Sequence, residues 1–499
     1  GPLCLPVLRF SGREALNQPF RFEIEVIGLA PALPPGSLLR QPAFLHLGTD
    51  HGIHGLIHSV SCEHRASHRI GYRLILVPML LNLEQSPRRR VFVQASVPAI
   101  LAQLLEEHQL PADSYRIEMS VGQYPPREFC LQYEESDLAF VQRLCEEEGI
   151  HYHFEHHPNG HVLVFADDNL SLPQEPLPVP FAVTDDTRSP RISTLLQRHD
   201  ATPVMAAPGI RNRGQAVIIA DAANHPVPAL TPLNLSSDQR HTEQRSRRHL
   251  QRQRCQSRTI RGSGDCSALR SGHLLQISEH PINAFNEQWL ITELHHQGQH
   301  PSILDPTTDV HRYRNDFSAL PWSSDFRPHL AQPRPNIGGY HLARVLGSPG
   351  QPAPLDDRGR IAVSLWPTQT AESACLWLPI ALTSAGRLAA HQLPRAGSEV
   401  WVSFLDSDPD RPILCLANSR PPAPSEPAPT SDSSVERGRW KLVISRSTAR
   451  KRKPGVMKIS VSPVKGDSVP VFRAAVSSRR RLVVPTATTR PPFAFAARM

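Results

Sequence analysis

Histidines are the residues whose number and spacing most suggest a metal site. The chain has 25, and five of them lie on or beside one predicted hairpin: His151, His153, His156, His157 and His161. Alternate residues of a strand point to the same face, so His151 and His153 can share a ligand. The simpler interpretation, which we favour, is that these rings replace surface or half-buried aromatic side chains in a β-hairpin. We therefore expect no metal ligand and no cofactor.

Paired acids are the next candidates, because glycoside hydrolysis uses two carboxylates about 5–9 Å apart. Asp167–Asp168 and Asp356–Asp357 are more simply explained as turn residues. The run Glu146–Glu148 ends a predicted helix, and we interpret it as a solvated face. The loop Asp406–Asp410 has the chemistry to hold a cation, but aspartate and proline form turns without one.

Catalytic signatures are missing from the sequence. It has no HExxH, GxSxG or GxxxxGK[ST] motif. The eight cysteines form no CxxC pair and are scattered, which argues against both a zinc site and a disulfide framework. We predict no catalytic residue and a structural or interaction protein rather than an enzyme.

The basic charge belongs to the end of the chain. From Arg420 to Met499 there are 17 Lys or Arg and four acids, which leaves the other 419 residues at about −5 of the net +8. Specific nucleic-acid binding is therefore not expected, although the tail has the charge to bind polyanions nonspecifically. No apolar run reaches 18 residues, and we expect neither a transmembrane helix nor a signal peptide.

Short strands with period-two alternation dominate the first 330 residues, and 50 prolines argue against a helical protein. Two helices are predicted among them. The first covers 97–108, and the second covers 136–148 with Ser136 as N-cap and Gly149 as C-cap. The predicted strands are Phe20–Val26, Phe44–Leu47, Ile53–Val60, Tyr72–Val77, Ile150–Glu155, His161–Phe165, Ser271–Ser278 and Glu287–His295.

A proline-rich linker at 327–336 separates these elements from a compact segment with five predicted strands, which suits an OB-fold. The five strands are Tyr340–Val345, Gly359–Trp366, Leu376–Ile380, Glu399–Phe404 and Pro412–Leu416. A proline- and serine-rich linker follows at 419–434, and a basic segment occupies 435–499.

Two segments carry a family resemblance. Residues 132–150, QYEESDLAFVQRLCEEEGI, and residues 394–413, PRAGSEVWVSFLDSDPDRPI, resemble signature motifs of the VgrG family, the spike proteins of bacterial type VI secretion. Supporting matches lie at 20–26, 54–57, 271–296 and 357–360, and the resemblance runs from about residue 3 to 418. Ser407 stands where the family usually has glycine, which a turn tolerates.

The resemblance implies a mainly β fold with inserted helices. Residues 1–330 are expected to form a phage-hub-like part, an α+β hub of two β-barrels at roughly 1–185 and 186–330. Residues 331–336 end the linker, and 337–418 form the OB-fold spike domain. The C-terminal tail is expected to be largely irregular.

The resemblance also implies a homotrimer that caps a tube of Hcp hexamers and carries a PAAR-repeat protein, an adaptor or an effector at its tip. A contractile sheath drives it through the target-cell membrane, so the chain is expected in the cytoplasm before firing and outside the cell afterwards. We do not expect the chain to bind nucleic acid specifically.

The tail departs from the family, whose members usually continue into a triangular β-helix. Three interpretations of 435–499 stay open: a divergent effector-binding adaptor, a disordered polybasic end, or an out-of-frame reading of a longer gene, and we favour the last two. For the whole chain the alternatives are an evolved spike whose tail is an effector, a hub-spike protein of a phage or tailocin, and a polyanion-binding protein led by its tail.

Overall fold

The computed structural model describes residues 3–29, 33–64, 69–182, 189–198, 239–300, 312–367, 374–381 and 393–416. The predictions for 419–434 and 435–499 lie outside these residues. All described residues belong to one unit, Gly1–Arg420. Within this part of the chain, no helix combines the length and apolar character that a membrane span requires.

Strands are the commonest regular element of the described chain, as predicted. The first eleven are β1 (Val7–Ala15), β2 (Gln18–Leu29), β3 (Pro42–His46), β4 (Gly52–His64), β5 (Arg69–Val77), β6 (Arg88–Ala95), β7 (Tyr115–Glu118), β8 (Arg127–Glu135), β9 (His151–His157), β10 (Gly160–Ala166) and β11 (Leu177–Pro180). The next five are β12 (Ile192–Arg198), β13 (Thr259–Gly264), β14 (Leu274–Ser278), β15 (Gln288–Gln299) and β16 (Arg312–Pro321). The last six are β17 (Tyr340–Val345), β18 (Ile361–Leu365), β19 (Cys375–Leu378), β20 (Ile380–Ala381), β21 (Glu399–Phe404) and β22 (Pro412–Cys415). The helices are α1 (Pro35–Leu38), α2 (Val97–Glu107), α3 (Asp137–Glu148) and α4 (Gln239–Ser257).

One large sheet joins the two halves of the N-terminal part. Its strand order is β12-β13-β16-β15-β1-β2-β5-β4-β3, and β14 adds to β15 and also pairs with β11. The link is the antiparallel pair β1–β15, in which Arg13 lies opposite His295. Strands from both predicted barrels therefore share a single hydrogen-bonded sheet, and the boundary near residue 185 stays a prediction.

Helix α3 begins and ends where the sequence predicts. The Ser136 hydroxyl accepts a hydrogen bond from the backbone N–H of Ala139 at 3.1 Å, which satisfies one of the free donors at the helix start. Gly149 ends the helix with φ of 71°, a left-handed conformation that favours glycine. The predicted apolar face of α3 is buried, and the hairpin β9–β10 follows directly, as expected.

Helix α4, which is rich in Arg and Gln, is not among the two helices that the sequence predicts. It contains neither glycine nor proline, and its buried side chains recur at helical spacing. These buried residues are His241, Arg248, Arg252 and Cys255. Because most of this buried face is polar, the helix does not show the hydrophobic periodicity from which a helix is predicted.

The predicted OB segment forms a separate six-stranded sheet with the order β19-β18-β17-β21-β22-β20. All five predicted strands are present. The third is interrupted at Pro379, which has no N–H to continue the ladder, and its remainder is the two-residue strand β20. The Pro379 carbonyl instead accepts from the backbone N–H of Leu414 at 2.8 Å.

Candidate functional site

Three of the five hairpin histidines lie in the core, whereas His156 is half-buried and His157 is exposed. His151, His153 and His161 are at most 2% exposed. The rings of His156 and His161 pack edge-on against Phe20, with centroids 5.1 and 5.8 Å away. Within the described ranges, no group of three or more His, Cys, Asp or Glu side chains is arranged to hold a metal ion. His151, His156 and His161 pack against phenylalanine rings, but His151 and His161 do so in the core and not at the surface or half-buried positions that we expected.

The aspartate pairs are turn residues in the structure. The Asp167 carboxylate accepts three backbone N–H groups, those of residues 120–122, at 2.6–3.2 Å. Asp168 accepts from the N–H of Leu170, two residues on, at 3.1 Å. Asp356 accepts from the backbone and the guanidinium of Arg360. Burial alone would raise the pKa of Asp356, but these donors hold it below its usual value.

The prediction that Glu146–Glu148 forms a solvated face is wrong. Glu146 and Glu148 are 6% and 1% exposed. The Glu148 carboxylate accepts from Arg127 at 2.6 Å and lies 2.8 Å from His241 Nε2. Glu147 pairs with Arg143 at 2.9 Å. Basic side chains from β8, α3 and α4 supply the partners that allow this burial, and the local sequence does not reveal them.

These ion pairs hold Glu147 and Glu148 in their charged form. Burial would raise the pKa of Glu148, but the His241 hydrogen bond and the Arg127 charge lower it well below its usual value. Burial likewise opposes ionisation of Glu147, and Arg143 and Arg127 outweigh it, so its pKa is lowered too. Glu147 and Glu148 are therefore held in their charged form, whereas burial raises the pKa of Glu146 above its usual value.

Arginines from α4 and the linker complete the end of α3. Arg248 donates to the carbonyl of Glu148 at 2.6 Å, and Arg252 donates to the carbonyl of Glu146 at 2.5 Å. Arg327, in the predicted linker, donates to the carbonyl of Gly149 at 3.3 Å. The last carbonyls of a helix lack partners within it and carry partial negative charge, so buried guanidinium groups satisfy both needs.

A two-stranded sheet lies between the N-terminal core and the OB sheet. It consists of β6 and β8, paired antiparallel, and we call it the junction sheet. Phe92 and Cys130, which face each other, pack into the core built around α2 and α3. Phe129 and Leu131, on the opposite face, belong to the core of the OB sheet. One small sheet thus contributes a face to each of two cores.

Polar contacts reinforce this junction. The backbone N–H of Gln332, in the linker, donates to the Glu146 carboxylate at 2.8 Å. Arg334 pairs with Asp408 at 3.2 Å and also contacts Asp410. In this way the 406–410 loop, considered above for a cation, pairs with an arginine of the linker.

The OB segment is joined by one contact to the end of the linker and by another to the junction sheet. The backbone N–H of Ile337, which is fully buried, donates to the carbonyl of Ser407 at 2.9 Å. Arg360, before β18, forms an ion pair with Glu128 of β8. The two segments that carry the family resemblance, 132–150 and 394–413, therefore both contact the linker at this junction. The arrangement is suited to transmitting load between two folded parts.

Family comparisons divide the chain at the same place. Residues 13–302 match the phage tail baseplate hub (GPD) family. Residues 353–417 match the type VI secretion system/phage-baseplate injector OB domain. The junction sheet lies within the first match, and its outer face packs into the core that contains the second.

Named relatives and a solved structure agree with these matches. The type VI secretion system spike protein VgrG5 of Pseudomonas aeruginosa is 37% identical over 449 residues, which cover 84% of this chain and 57% of the relative. The actin cross-linking toxin VgrG1 of Vibrio cholerae is 28% identical over 82% of this chain and 40% of its own length. The Escherichia coli c3393 protein, a type VI component, has the same fold, with a TM-score of 0.64, 24% identity and coverage of 82% of this chain and 96% of that one. The chain thus spans little more than half the length of VgrG5.

Proposed function

Because this chain belongs to the phage tail baseplate hub family, and within it to the VgrG spike proteins of type VI secretion, we propose that it forms the trimeric tip of the secretion tube. It delivers effectors into target cells when contraction drives the tip through their membrane. The observation that carries the proposal is that hub and OB matches lie in one chain. The junction sheet contributes one face to the core of each part.

A mechanical role needs a unit that does not separate under load. The junction sheet packs against the OB sheet, and the linker contacts both Glu146 at the end of α3 and Asp408 of the OB segment, so these contacts tie the hub to the OB sheet. Three copies around one axis would bury surfaces that each copy exposes alone. Leu330 and Tyr340, 58% and 70% exposed beside the junction, are apolar side chains available for that contact.

Its proposed partners are those of a tube tip. The hub sits on a tube of Hcp hexamers, and the OB end receives a PAAR-repeat protein, an adaptor or an effector. The chain is then cytoplasmic before firing and leaves the cell through the type VI apparatus, as the VgrG relatives suggest. The boundaries at 330, 337 and 418 are proposed as the limits of the hub and of the OB domain.

We propose no catalytic activity for residues 1–418. The toxin name of the Vibrio relative favours one alternative, an evolved spike with an effector at its C-terminus. Peptidoglycan, phospholipid and nucleic-acid hydrolysis by the isolated segment 420–499 tests that alternative. Shared hub architecture favours a second, a phage or tailocin hub-spike protein, and the neighbouring genes separate the two.

Deletion of the encoding gene tests the proposed function. In its own bacterium, with any other spike genes removed, deletion is expected to abolish export of the tube protein into the medium, because the tube lacks its tip. The wild-type gene is expected to restore export. Undiminished export in the deletion strain, with the tube protein still expressed, would contradict a tip function.

A further inference from the structure

Three histidine rings form a hydrogen-bonded group between the hairpin β9–β10 and the neighbouring strand β4. They are His54 of β4, His156 of β9 and His161 of β10, and we call them the histidine seam. His54 and His161 are 5% and 2% exposed. Their Nδ1 atoms are 2.9 Å apart, so one of the two must donate and the other must accept.

Backbone donors decide which nitrogens carry hydrogen. The N–H of Met79 donates to Nε2 of His161 at 3.1 Å, so the hydrogen of that ring is on Nδ1 and is donated to His54. The N–H of His54 donates to Nδ1 of His156 at 3.2 Å, which places the hydrogen of His156 on Nε2. Every ring in the seam accepts one hydrogen bond through its only lone pair.

This pattern exists only while all three rings are neutral. Protonation of His161 at Nε2 would bring its new N–H against the N–H of Met79. Protonation of His156 at Nδ1 would do the same against the N–H of His54. In each case a hydrogen bond is replaced by two opposed donors in a buried place, which is strongly unfavourable.

The surrounding charges do not compensate an added proton. Glu14 of β1 is the acid that acts on His156, and Arg270 is the cation that opposes protonation. The Glu14 carboxylate already lies 2.8 Å from His296 Nε2 and accepts from Ser271. The groups that act on His161 are the other two histidines, which would repel it once charged.

Burial of the rings also disfavours their protonation. It lowers the pKa of His156 and of His161 to about 3, from a usual value of about 6.5. The stabilisation that depends on neutral rings is therefore complete above about pH 6.5 and is lost as the pH falls towards the folded-state pKa. For one such histidine, the equilibrium for opening rises by about 30-fold between pH 7.5 and pH 5.0.

We propose that the histidine seam is an acid-operated latch, whose protonation releases the hairpin β9–β10 from β4 and from the turn at Met79. At neutral pH the latch is closed and the hairpin belongs to the hub core. In an acidic compartment the hairpin opens before the OB sheet does. The proposal does not depend on the function proposed above.

Hydrogen exchange of the full chain, corrected for the pH dependence of the chemical exchange rate, measures this opening directly. Between pH 7.5 and 5.0, protection of residues 151–166 is expected to fall by about 30-fold for each seam histidine that is exposed on opening. Residues 361–365 of the OB sheet, which are buried and contain no titratable side chain, serve as the internal reference. Equal protection of the hairpin at both pH values would overturn the proposal.

Variants without a titratable ring test whether the seam causes the pH dependence of hairpin opening. In His156→Asn with His161→Gln, the amide oxygens replace the two acceptor nitrogens, so the contribution of these two histidines to the pH dependence is expected to disappear. Burial also lowers the pKa of His54 and of His151, and their contribution to the pH dependence is expected to remain. In His156→Asn alone, the fall in protection of residues 151–166 between pH 7.5 and 5.0 is expected to be about 30-fold smaller than in the wild type. This single variant keeps the test valid if the double variant folds poorly. His157→Gln, at an exposed position of the same hairpin, should leave the wild-type response. A double variant that keeps the full response would refute the latch.

Discussion

Replacing Glu148 by alanine is expected to lower the free energy of unfolding by about 3–5 kcal/mol, the cost of removing one partner of a buried ion pair. The carboxylate contacts Arg127 at 2.6 Å and His241 at 2.8 Å, and its side chain is 1% exposed. Without it, the guanidinium of Arg127 stays buried and loses its shortest ion pair. Chemical denaturation followed by the fluorescence of the six tryptophans gives the midpoint and the free energy.

A matched control shows whether the loss of stability comes from the burial of the ion pair or from the loss of a charge alone. Glu134 pairs with Arg89 but is 56% exposed, so Glu134→Ala should change stability by no more than about 1 kcal/mol. The pH dependence adds a second readout. Because the pKa of Glu148 is lowered by folding, its contribution is present above about pH 4.3 and is lost as the pH falls through the folded-state value. Equal effects of the two substitutions would show that the cluster at the end of α3 does not stabilise the hub.

Replacing Phe129 by alanine is expected to cost about 3–5 kcal/mol and to loosen the OB sheet specifically. Phe129 is carried by β8 in the N-terminal part, yet its 1% exposed ring packs in the core of the OB sheet. Its loss leaves a cavity at the junction. Hydrogen exchange should therefore quicken in β17 and β18 more than in α2 and α3.

Phe92→Ala is the control on the opposite face of the same small sheet. Phe92 stacks on Phe140 in the N-terminal core, with ring centroids 5.4 Å apart. A cavity of similar size should form there, but exchange should quicken in α2 and α3 and leave the OB sheet protected. The same exchange pattern in both variants would argue against a junction sheet that serves two cores.

Local signals were sufficient for much of the fold. Ser136 and Gly149 mark the ends of α3 because caps act within a few residues. The hairpin β9–β10 and the five strands of the OB segment follow from short-range alternation and turn residues. The family resemblance at 132–150 and 394–413 added the order of the two parts, and the family matches confirm it.

The features that needed tertiary structure are those in which polar residues are buried. Glu146, Glu148 and Arg248 look solvated in the sequence, since they find partners 21 to 186 residues away along the chain. Strands β6 and β8 show little alternation between apolar and polar residues because both faces of the junction sheet are covered. His156 and His161 belong to the histidine cluster visible in the sequence, but His54 and the lone-pair pattern of the seam appear only in three dimensions.

The mass of the full chain in solution tests the proposed threefold assembly most directly. Light scattering coupled to size exclusion, at several protein concentrations, should give three times the 55.5 kDa of one chain. A strict monomer at the highest concentration would contradict a trimer built by the hub and OB parts of this chain.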